Sequence, residues 1–293
     1  MIDKILIGDN PFNSVDHLSQ ERARHRPPMN TRGMLDVIHA ASESGATGFA
    51  FSTRPIMLSV LEQVKEEYSL EIGLYPVIPD VQAIVQSVST EGMVGFVGQT
   101  LSHLGFKSKA SFIIRGGANI MTMNPIKLIQ TYLEAEVSSV AKAAPKSPLK
   151  SVLLHELVTD LMVGLKMEEF FQAYIDSVRR SVGIAPGFVT RNFARFVEFA
   201  KSSGVNLQDT VVMTPFNSIG YQMNPTREAC EKALGETDSD VIAMNILSSG
   251  YLSLEVATAY VNNLPRKVSC VVGVSTVSHA QRTFNYLRKH LRT

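Results

Sequence analysis

Short apolar runs alternate with longer amphipathic ones along most of this chain, and no other feature restricts the fold so much. Ser151–His155 (SVLLH) precedes a helical stretch at Met167–Ser181. Gly187–Thr190 precedes Asn192–Ser203, which Gly204 ends. Thr210–Thr214 (TVVMT) precedes Pro225–Leu234, and Asp240–Met244 (DVIAM) precedes Leu254–Asn262. Val268–Gly273 (VSCVVG) precedes Ser278–Leu291. The N-terminal part repeats the pattern. Lys4–Gly8 leads through a long polar loop to a helix at Thr31–Ser44, closed by Gly45. Thr47–Ser52 leads to Met57–Tyr68, and Glu71–Ile78 ends at Pro79-Asp80. Strands this continuously apolar are buried on both faces, as in a parallel sheet covered by helices.

Counting strand starts at Lys4, Thr47, Glu71, Ser151, Gly187, Thr210, Asp240 and Val268 predicts a closed (β/α)8 TIM barrel, in the α/β class. Ser111–Arg115 would make a ninth strand. Phe112, Ile113, Gly116 and Ile120 fall at helical spacing, so Ser108–Met121 reads as helix. The segment 91–144 then forms an extended helical insertion after the third strand, ending in a helix at Pro125–Ala143, within one domain spanning 1–293. An open doubly wound sheet is the weaker alternative, because no GxGxxG follows the first strand. A chain of 293 residues suits the barrel, which ordinarily takes ~250.

Apolar residues make up 45% of the chain and the formal net charge is +1, which points away from nucleic acid and membrane surfaces. No apolar run reaches the ~20 residues that span a bilayer. Cys230 and Cys270 form no CxxC pair, so neither a zinc motif nor a disulfide framework is visible. The first strand begins without a signal-peptide pattern, and the expectation is a cytoplasmic protein, with homo-oligomer formation left open.

In a barrel of this kind the chemistry stands at the C-terminal strand ends. The first exit offers Asp9 and Asn10, followed by His17 in the polar loop. Asp9 suits a general base, or a side chain that stabilises the Asp-Asn-Pro turn. A metal set of Asp9, His17 and His155 lacks any spacing motif, and none is expected. His155 ends the fourth strand, where an imidazole titrates near neutrality, and Glu156 follows it. Adjacent strand residues face opposite ways, so both reach the mouth only if the strand has already ended. Arg54 and Arg191 at two further exits, and the Arg22, Arg24, Arg26 cluster, suit an anion. Asn192, Asn217 and Asn245 are candidate substrate contacts. Ser249 and Gly250 after the seventh strand, with Gly273, Ser275 and Thr276 after the eighth, suit a phosphate at a helix N-terminus that Ser278 would cap. Tyr75, Phe216 and Tyr221 are candidates for an apolar pocket wall.

Three segments resemble the aldo-keto reductases: Leu153-Leu154-His155, Val182-Gly183-Ile184 through Thr190-Arg191-Asn192, and Val271 through Thr276. The motifs are short, and the resemblance as a whole covers about half the chain. The resemblance implies the barrel, a histidine at the fourth strand end, and a final turn that grips the adenosine phosphate of an NAD(P) cofactor. It also implies an adenine contact near Asn285, with Arg282 nearby. The family's aspartate and tyrosine after the second strand are replaced here by Ser52-Thr53-Arg54-Pro55. Its lysine after the third strand has no counterpart in Tyr75–Pro79. Of the four, His155 alone matches.

These residues predict an enzyme acting on a small anionic metabolite, phosphorylated or carboxylated, by acid/base chemistry. His155 would work with Asp9 or Glu156, and the reaction would be a lyase, isomerase or hydrolase step. The resemblance implies instead an NAD(P)-dependent oxidoreductase with a non-standard relay. A third reading is a non-catalytic barrel that binds a metabolite.

Overall fold

The computed structural model describes residues 2–12, 29–68, 70–80 and 125–292. Eight parallel strands close a barrel in chain order: β1 Ile5–Gly8, β2 Gly48–Ser52, β3 Gly73–Ile78, β4 Ser151–Leu154, β5 Ala185–Val189, β6 Val211–Pro215, β7 Asp240–Met244 and β8 Ser269–Gly273. Closure is explicit in the register, where Leu6 of β1 pairs with Gly48 on one side and Val271 on the other. The described helices are α1 Thr31–Glu43, α2 Pro55–Tyr68, α3 Pro125–Ala143, α4 Glu156–Gly164, α5 Glu168–Ser181, α6 Phe193–Ser203, α7 Arg227–Glu236, α8 Leu254–Asn262 and α9 Val277–His290. The expected eight strands and the barrel are therefore present. The helices predicted between 81 and 121 lie outside the described residues, as do His17 and the Arg22, Arg24, Arg26 cluster.

Strand alternation sorts the core into two parts. Leu6, Ala50, Tyr75, Leu153, Val189, Val211, Met213, Ile242 and Val271 fill the barrel interior. Their outward neighbours, such as Ile7, Phe51, Leu154, Phe188, Val212 and Val272, pack under the helices. Gly187 of β5 is required by close packing, since a Cβ there would stand 2.3 Å from Leu153 Cδ2. Outside the barrel, Phe171 of α5 lies with ring centroids 5.2–5.8 Å from Phe170, Phe188, Phe196 and Phe199. Burying rings of this size stabilises the helix ring by about 2 kcal/mol each. The Tyr174 hydroxyl, also buried, donates to the Val152 carbonyl at 2.8 Å.

Several boundaries differ from expectation for physical reasons. The fourth strand stops at Leu154, because His155 leaves it to cap a helix, α4, that the alternation does not predict. Leu157, Leu161 and Leu165 of that segment face solvent, so it lacks the usual polar outer face. Thr276, not Ser278, caps α9: its side chain accepts from the His279 N–H at 3.2 Å. Tyr75 is no mouth residue. It is fully buried inside the barrel, and its hydroxyl donates to Asp3 at 2.8 Å. Among the described residues no helix is long and apolar enough to cross a membrane.

Candidate active site

Leu153 points into the barrel, so alternation carries His155 to the inner side of the mouth. Its N–H donates to the Ile78 carbonyl at 2.6 Å, which seats it beside the β3 exit. The α4 helix starts at the next residue, and His155 is its N-cap: Nδ1 accepts from the Leu157 N–H at 3.1 Å. This bond has a chemical consequence. A neutral imidazole that accepts at Nδ1 carries its proton on Nε2, so His155 presents an N–H donor to the mouth. Burial, with the Arg191 charge, holds its pKa below the usual histidine value against Glu156 and Asp80, which act in the other direction.

Because β4 ends at Leu154, Glu156 is freed from strict alternation. Its Oε1 lies 2.6 Å from Arg191 Nη2. Arg191 leaves β5 in the same way, and its N–H donates to Asp160 Oδ2 of α4 at 3.2 Å. The Thr190 hydroxyl also donates to Asp160. Two strand exits and the new helix are thus tied into one network. Arg54, at the β2 exit, pairs through Nε with Asp80 Oδ2 at 3.5 Å, and Asp80 is 8% exposed. Both guanidiniums expected to hold an anion already face a carboxylate.

Asp9 is buried, and its Oδ2 accepts from both the N–H and the hydroxyl of Ser52, at 2.8 and 2.7 Å. Its side chain joins the first two strand exits. Its backbone also closes the turn, with the carbonyl accepting from the Phe12 N–H at 2.9 Å. Asn10 is exposed next to it. Asn192 is half-buried at the head of α6 and makes no side-chain cap. Asn217 is fully buried, its amide closing a loop onto the Tyr221 N–H and carbonyl at 2.7 and 2.9 Å. Phe216 is buried too, edge-on to Phe193, and so lines no open wall. Asn245 Nδ2 donates to Gln222 Oε1 at 2.6 Å, bridging the β7 and β6 exits.

A further group comes from α3 rather than from a strand end. Tyr132 and Glu136, one helical turn apart, reach the β2 and β3 exits. Tyr132 is hydrogen-bonded to Glu136 and to the Asp80 backbone. Glu136 faces Thr53 and lies near Asp80, and burial raises its pKa against the hydrogen bonds that lower it. Their i, i+4 spacing on a predicted helix was the sole signal available, and nothing in it specified the mouth.

At the last two exits the backbone is unusual. Asn245, Ser248, Ser249 and Gly250 all have positive φ, at 54°, 46°, 59° and 87°. Among the described residues, the Ser248 and Ser249 hydroxyls are buried without a partner. Ser248, Ser249 and Gly250 form a short turn of 3-10 helix. Within this turn the Ser248 N–H donates to the Asn245 carbonyl at 2.8 Å and the Gly250 N–H to the Leu247 carbonyl at 2.9 Å. Next to it Gly273 is exposed at the end of β8, where a Cβ would meet Pro11 at 2.7 Å. Ser275 and Thr276 then lead into α9, which carries Arg282 on its exposed face. These residues fit a phosphorylated group by their chemistry: two hydroxyls without a partner among the described residues, an exposed glycine, a helix N-terminus and a guanidinium on the same helix. Among the described residues, no group of three or more His, Cys, Asp or Glu could hold a metal ion.

No family model matches the chain. No curated protein matches it in sequence either. Solved structures do match. One from Pseudomonas aeruginosa, assigned to the aldo-keto reductases, aligns with a TM-score of 0.61 at 12% identity, over 99% of this chain and 91% of its own. The aldo-keto reductase of Bacillus halodurans, in its holo form, gives 0.53 at 12% identity, over 99% and 88%. The glycerol dehydrogenase of Gluconobacter oxydans gives 0.53 at 10% identity, over 99% and 93%. The chain is thus a closed (β/α)8 barrel with the fold of the aldo-keto reductases.

Proposed function

We propose that this chain is an NAD(P)-dependent oxidoreductase that acts on a small carbonyl compound at the barrel mouth. The observation that carries the reading is the pair of loops after β7 and β8. There the buried hydroxyls of Ser248 and Ser249, without a partner among the described residues, sit in a left-handed run, beside the exposed Gly273 and the N-terminus of α9. In this reading Ser249, Gly250, Gly273, Ser275 and Thr276 hold the cofactor's phosphates, and Arg282 and Asn285 face its adenosine end. The bound cofactor would supply a hydride equivalent. This chain's own part is to present the His155 Nε2–H to the substrate oxygen, where it polarises the carbonyl and stabilises developing negative charge.

The alternative of acid/base chemistry on an anionic metabolite draws less support. Arg54 and Arg191 each face a carboxylate, Asp80 and Glu156, so the mouth favours an uncharged carbonyl. A fluorescence titration of NADPH and NADH into the protein tests the proposal. A saturable change in nicotinamide emission is expected. No change at millimolar concentrations of either cofactor would sink it.

A further inference from the structure

A bond between two side-chain amides joins the β6 and β7 exits, next to the Ser248–Gly250 turn. Asn245, the first residue after β7, donates from Nδ2 to Gln222 Oε1 at 2.6 Å. Gln222 belongs to the loop after β6, and its Nε2 donates to the Tyr221 hydroxyl at 3.2 Å. That loop is held on itself. The fully buried Asn217 accepts from the Tyr221 N–H at 2.7 Å and donates to the Tyr221 carbonyl at 2.9 Å. Met223, buried next to Gln222, donates from its N–H to the Gly220 carbonyl at 3.1 Å. The Asn224 N–H donates to the Arg191 carbonyl at 3.2 Å, which anchors the loop to the β5 exit. Gln222 is thus the arm through which a braced loop reaches β7.

Both partners of the bond hold a left-handed backbone, with φ 59° at Gln222 and 54° at Asn245. Residues with a Cβ seldom adopt it, and glycine would do so at less cost. Such conformations persist where the surroundings over-determine them, and they gather at functional sites. Asn245 is also where the turn begins. Its carbonyl accepts from the Ser248 N–H at 2.8 Å, and the Leu247 carbonyl accepts from the Gly250 N–H at 2.9 Å. These N–H groups close the turn, so the Ser248 and Ser249 hydroxyls are the groups it can offer a ligand. Their direction follows the backbone that starts at Asn245.

We propose that Gln222 is a positioning residue for the dinucleotide: through Asn245 it holds the Ser248–Gly250 turn in the conformation that receives a phosphate. The inference rests on the oxidoreductase reading and deepens it. Gln222 acts without touching the cofactor. Its bond to Asn245 is in place before binding, so the turn need not be ordered when the phosphate arrives, and affinity gains by that pre-organisation.

The test uses full-length wild type, Gln222→Gly, Asn245→Gly and the double variant. Glycine keeps the left-handed backbone while deleting the bond. Gln222→Asn deletes it a second way, since asparagine tolerates this backbone but is one methylene shorter. Three readouts are needed: the melting temperature, NADPH affinity by nicotinamide fluorescence, and the affinity of the nicotinamide-free fragment of NADPH (its phosphorylated ADP-ribose) by displacement. The expected result is melting close to wild type, with NADPH bound about tenfold more weakly by each single variant. The fragment should weaken by the same factor. The double variant should bind no more weakly than the singles, because each substitution removes the same bond. Failure of the wild type to bind NADPH overturns the oxidoreductase reading, and this inference falls with it. Wild-type binding with unchanged affinity in Gln222→Gly and Gln222→Asn overturns the role of Gln222 itself. A loss confined to intact NADPH overturns it too, since the side chain would then act at the nicotinamide. So does a loss of about 100-fold in the double variant, because the two residues would then act separately.

Discussion

Arg191 Nη2 lies 2.6 Å from Glu156 Oε1, and this ion pair ties the residue after His155 to the exit of the neighbouring strand. Both side chains are partly exposed, so solvent screens the pair. A double-mutant cycle with Glu156→Gln and Arg191→Met should give a coupling of about 1 kcal/mol in urea unfolding, shrinking at high salt. A coupling near zero at low salt would show that the pair does not hold the two exits together.

His155 carries two separable roles, a helix cap and a mouth donor. His155→Ala removes both and should cost about 1 kcal/mol of stability through the lost cap. His155→Asn keeps a capping oxygen and should be close to wild type in stability, while losing activity. The pH dependence follows from the lowered pKa. Below the unfolded value, near 6.5, the unfolded chain takes up a proton that folded His155 resists. Stability therefore falls as pH drops below that value, until the folded pKa is passed. Thermal melts of wild type and His155→Asn should diverge across that window and run parallel above it.

Asp9 has two readings that one pair of variants separates. Its carboxylate satisfies the Ser52 N–H and hydroxyl, so Asp9→Ala leaves two donors unmet and should cost about 2–3 kcal/mol. Asp9→Asn keeps an acceptor and should cost less. If turnover in Asp9→Asn tracks wild type, the residue braces the first two strand exits. If turnover collapses while the melting temperature holds, Asp9 acts in the chemistry.

The barrel was legible because each strand is buried on both faces and writes a continuous apolar run, from Ile5-Leu6-Ile7 to Cys270-Val271-Val272. The α4 helix was not, because its apolar residues Leu157, Leu161 and Leu165 lie in solvent and its cap is a histidine rather than Ser, Thr, Asp or Asn. The mouth was legible only where a residue lies within two positions of its strand's end, as His155, Arg54 and Arg191 do. Tyr132 and Glu136 arrive on a helix far along the chain, and no local pattern marks them as neighbours of Asp80. The roles of Arg54 and Arg191 depended on partners that only the closed ring supplies.

The central claim, that the β7 and β8 exits hold a nicotinamide dinucleotide, is tested most directly by the dissociation constant of NADPH for wild type against Ser249→Asp. Aspartate tolerates the left-handed backbone at this position, where φ is 59°, so the fold should survive. The account predicts measurable binding to wild type, weakened at least about tenfold, or about 1.4 kcal/mol, by the added negative charge. Equal affinities in the two proteins, or no binding to wild type, would contradict it.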